Sequence, residues 1–340
     1  MKIVKANAKL IPHDVHPYVF IERVGRTCYK SEDKITPDSA KRFVEMLAKK
    51  QHGAMLEHEY LYLKFYTGTK EFIAGLTDLD QTNMRLFKYM NIQEHYISAS
   101  FRAWIEFFNE VAKIDKEEKT YSVSGWPKAK GIYAYILKMF HNEYPEVFKA
   151  PAEYGWKENA TQMLIATLSR EGLIEDIREE IPDKTSQNET ISALLPHTVL
   201  FVCDRGVSHE FVRHRPASYG QESTRYCNYA NGKFGSEITV IEPLFYADDE
   251  QKYNTWKTLC LLAEQNYNRL IEMGSTAQEA RDILPTSLKT EIFITATENE
   301  WQHIVNLRYH GTTGAPHPQM KEVMAIALPQ LEETSENRIS

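Results

Sequence analysis

Cysteine is scarce: Cys28, Cys203, Cys227 and Cys260 are the only thiols in 340 residues, and no two form a C-x-x-C pair. That spacing indicates neither a zinc site nor a disulfide framework, so reduced thiols and no metal centre are expected. Long apolar runs are missing as well. No stretch approaches the roughly 20 residues of a membrane-spanning helix, and the opening Met1-Lys2-Ile3-Val4-Lys5 lacks a signal-peptide core. These absences read as a cytoplasmic protein with no membrane partner. Positive charge is not in excess either, since 40 Lys+Arg against 47 Asp+Glu leave a formal charge of −7. An acidic balance speaks against a nucleic-acid partner, so any phosphate site has to be a local concentration of arginine. What is present is a composition of 42% hydrophobic and 11% aromatic residues. It excludes global disorder and suffices for a substantial core. No long-period repeat is evident.

Residues 36–53 read as a helix with Thr36 as cap, Pro37 at its first position, Ala40, Phe43, Val44, Leu47 and Ala48 on one face, and Gly53 as stop. Glu59 to Tyr66 alternates as a strand with Leu61, Leu63 and Phe65 on one side. Thr198 to Cys203 is a continuous apolar run, as expected of a strand covered on both faces. Ser208 is the expected cap of a short helix that Pro216 must end. Further on, the chain predicts a strand at 237–241, a helix at 250–273 stopped by Gly274, and a capping-box helix at Thr276 and Glu279. A strand at 290–297 and helices at 300–308 and 319–331 follow. Helical signals at 101–111, 131–140 and 161–168 lie between the two early strands, and the polar stretch 175–190 reads as a mobile connection. The class is α+β, not regular βαβ.

The informative segment is Arg213-His214-Arg215-Pro216-Ala217-Ser218-Tyr219-Gly220-Gln221-Glu222-Ser223-Thr224-Arg225-Tyr226. Three arginines with serine hydroxyls and loop amides suit a phosphorylated ligand. The pattern R-H-R, seven residues, Ser, then Arg-Tyr resembles the flavin-dependent thymidylate synthases, the ThyX family. Gly25-Arg26-Thr27-Cys28-Tyr29-Lys30-Ser31 and His52-Gly53-Ala54-Met55-Leu56-Glu57-His58 resemble its N-terminal landmarks. Ala280-Arg281-Asp282-Ile283-Leu284-Pro285, Asn306-Leu307-Arg308 and Ala315-Pro316-His317-Pro318-Gln319 resemble its C-terminal ones. The resemblance implies one domain from 1–66 and 198–335, an antiparallel-type sheet packed with helices, interrupted by a mainly helical insertion at 67–197 and followed by a tail at 336–340.

The resemblance further implies reductive methylation of dUMP to dTMP with FAD, methylenetetrahydrofolate and NADPH, no cysteine nucleophile, and a homotetramer whose active sites lie between subunits. By position, Arg213, His214, Arg215 and Gln221 match flavin contacts, joined by Ala54, Thr297, Asn299 and His303. Glu210, Arg213, Gln221, Glu222, Ser223, Thr224, Arg225, Arg281 and Arg308 match dUMP contacts, with Arg308 as the catalytic arginine. On residues alone the alternatives stay open. Glu210 and Arg281 read equally as helix-surface charges, His52, His58 and His303 as packing residues, and Arg308 as a helix-dipole partner. Three positions depart from the family: Gly220, Ala54, and Asn299 where an arginine near FAD is expected. Arg102, within an echo of the same motif at Ser98 to Trp104, is a candidate replacement. A different pyrimidine product, such as a hydroxymethylated one, and a catalytically inactive nucleotide-binding relative are the competing functions.

Overall fold

The computed structural model describes residues 1–66, 90–93, 95–116, 126–156, 174–176, 194–230, 232 and 235–333. Its strands are β1 (Lys2–Val4), β2 (Asn7–Ile11), β3 (Tyr60–Phe65), β4 (Met90–Gln93), β5 (Tyr96–Ser100), β6 (Ile174–Asp176), β7 (Pro196–Asp204), β8 (Ser218–Gln221), β9 (Thr239–Ile241) and β10 (Lys289–Thr297). The chain packs into two compact units. One comprises Met1–His16, Glu22–Ile35 and Pro196–Ser340; the other comprises Pro17–Ile21 and Thr36–Leu195. The division therefore differs from the expected one, because residues 36–66 group with the segment that follows them rather than with 198–335. The reason is strand pairing: β3 lies between β5 and β6, both contributed by residues beyond 66.

In the first unit an antiparallel sheet runs in the order β2-β7-β10-β8. Val199 of β7 faces Leu10 and Ile294, and Ile294 in turn faces Tyr219. Val199, Phe201 and Cys203 are buried and alternate with half-buried Leu200 and Val202. The apolar run expected to be covered on both faces is thus fully covered on one. The helices Arg205–Phe211, Glu298–Val305 and Pro318–Glu332 supply Phe211, Trp301, Val323 and Met324 to the same core. A second core forms where the helix Glu250–Glu272 brings Cys260 and Tyr267 against Ile238, Val240 and Leu288. Gly274 at φ +98 follows this helix, as its stop signal predicts. The capping box forms, with Glu279 accepting the Thr276 amide at 2.7 Å, although its helix is only Ala277–Ala280.

The second unit holds the antiparallel sheet β4-β5-β3-β6, with Leu61 opposite Ala99 and Leu63 opposite Ile97. The helices Phe101–Lys116 and Trp126–Glu143 cover it. Trp104 centres an aromatic cluster with Phe107, Phe108 and Phe140 at 5.2–5.9 Å. The segment expected to be mainly helical thus also contributes three strands. The helix expected at 161–168 and nearly all of 175–190 lie outside the described residues. The helix predicted at 36–53 runs Ser39–Lys49, because Ser39 forms a local turn with Thr36, whose amide donates to Ser39 Oγ at 2.9 Å. Gln51 at φ +55, not Gly53, takes the left-handed position after it. Gly53 instead lets Arg102 approach: a Cβ there would lie 3.1 Å from Arg102 Cδ. Among the described residues no helix is long and apolar enough to cross a membrane.

Candidate functional site

The site is built at the end of β7. Asp204 accepts the Val207 amide at 2.8 Å and caps the helix Arg205–Phe211, while Gln319 Nε2 donates to its other oxygen at 2.8 Å. The cap is therefore Asp204 and not Ser208, which lies inside the helix and donates to the Arg205 carbonyl. An aspartate placed where the first amides point outcompetes a serine one turn later. The helix ends before the cis Arg215–Pro216 bond. Its last turn carries Glu210, and the turn after it carries Arg213, His214 and Arg215. β8 follows, so the segment read as a loop contains a strand, with Gly220 opposite Phe293 inside it.

Arg308 is the hub of the site. It lies in the π-helical turn Asn306–His310 after the helix Glu298–Val305. Its Nε donates to His214 Nε2 at 2.9 Å, Nη1 to the Glu210 carboxylate at 2.7 Å and Nη2 to the Glu210 carbonyl at 3.2 Å. A guanidinium has no acceptor, so His214 Nε2 is bare and the neutral ring carries its hydrogen on Nδ1. Burial, reinforced by Arg308 and His303, brings the His214 pKa down to about 4. Three of the five guanidinium N–H groups are used, which leaves two to meet an anionic ligand.

The R-H-R tripeptide divides: His214 is buried toward Arg308, whereas Arg213 and Arg215 are exposed. Tyr219 fixes this turn, its hydroxyl lying 2.8 Å from the carbonyls of both Phe211 and His214. The exposed His303 ring stands edge-on to His214, 5.8 Å between centroids. Gln221 Nε2 donates to Ser208 Oγ at 2.8 Å. Beyond it, Ser223 donates its amide to the Cys28 carbonyl at 3.0 Å and receives the Tyr226 and Cys227 amides on its own carbonyl. Ser223 Oγ accepts the Arg225 amide at 3.3 Å. Thr224 is half-buried, and exposed Arg225 donates from Nε to Gln278 at 3.1 Å.

Glu222 does not fit the nucleotide-contact role expected of it. Its carboxylate is 2% exposed and holds Lys289 Nζ at 3.0 Å and the Tyr229 hydroxyl at 3.2 Å. Its amide donates to the Glu291 carbonyl and its carbonyl accepts from Arg205 Nη2, each at 2.8 Å. Arg281 is exposed in the turn Arg281–Ile283, Thr297 is the N-cap position of the helix Glu298–Val305, and Asn299 is exposed in its first turn. Ala54 is exposed in the 3₁₀ turn Gly53–His58 of the second unit. Arg102, the expected replacement for the missing arginine, pairs with Glu57 and with Glu106 at 2.6 Å. Two carboxylates on one guanidinium outweigh its charge, so an anionic ligand at Arg102 has to compete with both.

All four cysteines are buried, and burial pushes the Cys28 and Cys227 thiols up to about 12. Among the described residues no cluster of His, Cys, Asp and Glu is placed to hold a metal ion. Sequence reasoning missed Asp204, Tyr219 and Lys289. Asp204 had a legible signal, an aspartate between a strand and a helix; Lys289 had none, since its partner Glu222 is 67 residues away.

A family model described as thymidylate synthase complementing protein matches residues 165–335, beginning upstream of residue 198 where the resemblance resumed. The flavin-dependent thymidylate synthase of Thermococcus onnurineus is 36% identical over 120 residues, 34% of this chain and 48% of that protein. That of Thermococcus kodakarensis is 34% identical over 135 residues, 40% of this chain and 52% of that protein. The chain spans about half the length of the curated relatives it matches. Among solved structures, a UMP/dUMP methylase PolB from Streptomyces cacaoi bound with 5-Br dUMP is 12% identical with a TM-score of 0.40, over 99% of this chain and 96% of that one. At that score no residue correspondence follows.

Proposed function

The chain belongs to the thymidylate synthase complementing protein (ThyX) family, and from that premise we propose that it methylates dUMP reductively to dTMP, with FAD as cofactor and methylenetetrahydrofolate and NADPH as co-substrates. The observation that carries this reading is the Arg308 node, a fixed cation with two N–H groups left over beside the exposed arginines of the R-H-R turn.

The residues present suit FAD. Arg213 and Arg215 are planar, exposed cations of the kind that grip a pyrophosphate, and His303, Thr297 and Asn299 lie on the helix that leads to Arg308. Gln221, at the end of β8, adds a side-chain amide, and Ala54, in the second unit, offers backbone only. When bound, FAD supplies the redox and one-carbon transfer chemistry. The chain's own part is binding and electrostatics. Ser223, Thr224 and Arg225, with Arg213 and Arg281, hold the nucleotide phosphate. Arg308 stabilises negative charge on the pyrimidine and so raises nucleophilicity at C5, while Glu210 and neutral His214 aim its fork. No cysteine takes part, consistent with four buried thiols. Assembly as a cytoplasmic homotetramer with shared active sites belongs to the same reading.

The purified protein is expected to be yellow, to bleach with NADPH faster when dUMP is present, and to release dTMP identified by mass spectrometry. A protein that takes up no FAD overturns the reading; a hydroxymethylated product replaces it with its enzymatic competitor.

A further inference from the structure

The first unit contains a second polar assembly that the Arg308 node does not use. Lys30 Nζ lies 2.6 Å from Glu291, Glu291 lies 2.6 Å from Lys289 Nζ, and Lys289 lies 3.0 Å from Glu222. The Tyr229 hydroxyl closes the chain on Glu222 at 3.2 Å. Two lysines and two glutamates alternate, and Glu32, 3.4 Å from Lys30 Nζ, adds a third carboxylate at the exposed end, so the ladder carries one net negative charge. Glu222 is 2% exposed at one end and Lys30 14% at the other, as side chains. Burial works to raise the Glu291 carboxyl, yet Lys289 and Lys30 bring it below its ordinary range.

Buried ion pairs of this kind contribute little net stability, because desolvation offsets most of the attraction and an apolar pair of similar volume often serves as well. What they provide is direction. This ladder crosses from the loop after the helix Pro17–Cys28, over β10, to the residue next to Ser223. Backbone bonds run alongside it: Glu222 donates to the Glu291 carbonyl at 2.8 Å and Ser223 to that of Cys28 at 3.0 Å. The Ser223 carbonyl then receives the Tyr226 and Cys227 amides. Each bond that fixes Glu222 therefore fixes the turn that begins at the following residue.

We propose that Glu222 is a positioning residue: through Lys289, Glu291 and Lys30 it holds the Ser223–Arg225 turn in the shape that grips the phosphate of a pyrimidine nucleoside monophosphate. This rests on the ThyX reading for the identity of the ligand and on the ladder for the mechanism.

The test is the double variant E222L/K289M, which exchanges the pair for an apolar one, beside E222Q, whose amide oxygen still accepts from Lys289 and Tyr229. Steady-state kinetics with dUMP should show KM for E222L/K289M raised about tenfold or more, with kcat falling less than KM rises, and E222Q recovering most of the loss. Hydrogen exchange in the absence of nucleotide should show the Ser223, Tyr226 and Cys227 amides exchanging faster in the double variant. Unchanged exchange overturns the proposal whether or not dUMP is the substrate. Faster exchange in an enzyme whose wild type ignores dUMP upholds the ladder and sinks the ligand assignment. A wild-type KM in the double variant also overturns the proposal. If the double variant does not fold, Y229F, which removes one donor to Glu222, is read the same way: no change in these amides counts against the ladder.

Discussion

Arg308 Nε donates to His214 Nε2 at 2.9 Å, joining residues 94 positions apart in the chain. The bond makes His214 an acceptor and fixes its protonation state, so the histidine serves as an orienting group for the arginine rather than as an acid. The consequences can be measured.

The His214 ring should remain neutral well below the ordinary histidine range, with its hydrogen on Nδ1. Burial comes first among the causes, then Arg308 and His303, and together they lower the pKa from 6.5 to about 4. Because the unfolded chain binds this proton more readily, the native state loses stability as pH falls through 6.5 toward 4 and gains nothing above that window. The loss is on the order of 3 kcal/mol at most. Nitrogen NMR of the imidazole at pH 5.5 should report a neutral ring, and a midpoint near 6.5 would show that the contact with Arg308 is absent in solution.

Replacement of Arg308 by alanine should lower turnover about a hundredfold or more, the scale of losing one oxyanion donor. Lysine at this position should not restore it. A single ammonium lacks the fork that reaches His214 and Glu210 at once. A lysine variant with near-normal kcat would mean that charge alone matters and the fork does not.

Asp204→Ala should destabilise the protein by roughly 1–3 kcal/mol, since it removes both the cap on Val207 and the partner of Gln319. Activity should fall further than stability, because the capped helix carries Glu210. Ser208→Ala should cost less, a comparison that thermal melts of the two variants decide. Equal melting temperatures would return the capping role to Ser208.

The four thiols should react slowly with a disulfide reagent at pH 8 in the native protein and promptly after unfolding, since all are buried and their pKa values are raised. Each Cys→Ala variant should methylate dUMP within about an order of magnitude of wild type. One rapidly labelled thiol whose loss abolishes turnover would restore a cysteine nucleophile.

Excision of residues 67–195 should yield insoluble protein. It strips β3 of both neighbours and bares Leu61, Leu63 and Phe65, each no more than 1% exposed. A soluble, folded remnant would show that residues 36–66 can pack without the segment that follows them.

Much of the fold was legible because its signals are local. The stop at Gly274, the Thr276–Glu279 capping box, and the ranges of β10 and the helix Glu250–Glu272 all follow from residues within a few positions of one another. The R-H-R-x₇-S pattern is local too, and it led to the family. Element ends were less legible where two residues compete for one task, as Asp204 and Ser208 do for the same helix, or Gln51 and Gly53 for the same turn.

Long-range choices were not readable, and they set the chemistry. Nothing in the R-H-R pattern says that its histidine turns inward while its arginines stay in water. That choice arises because β7, β8 and β10 pack side by side and deliver Arg308 to Glu210 and His214 from 98 and 94 residues away. Nor does the sequence around Glu222 show that a lysine on β10 will neutralise it. A motif names the groups available for a reaction, because residue type is a property of the chain; which of them meet, and in what charge state, depends on burial and distance, which exist only after the sheet has closed.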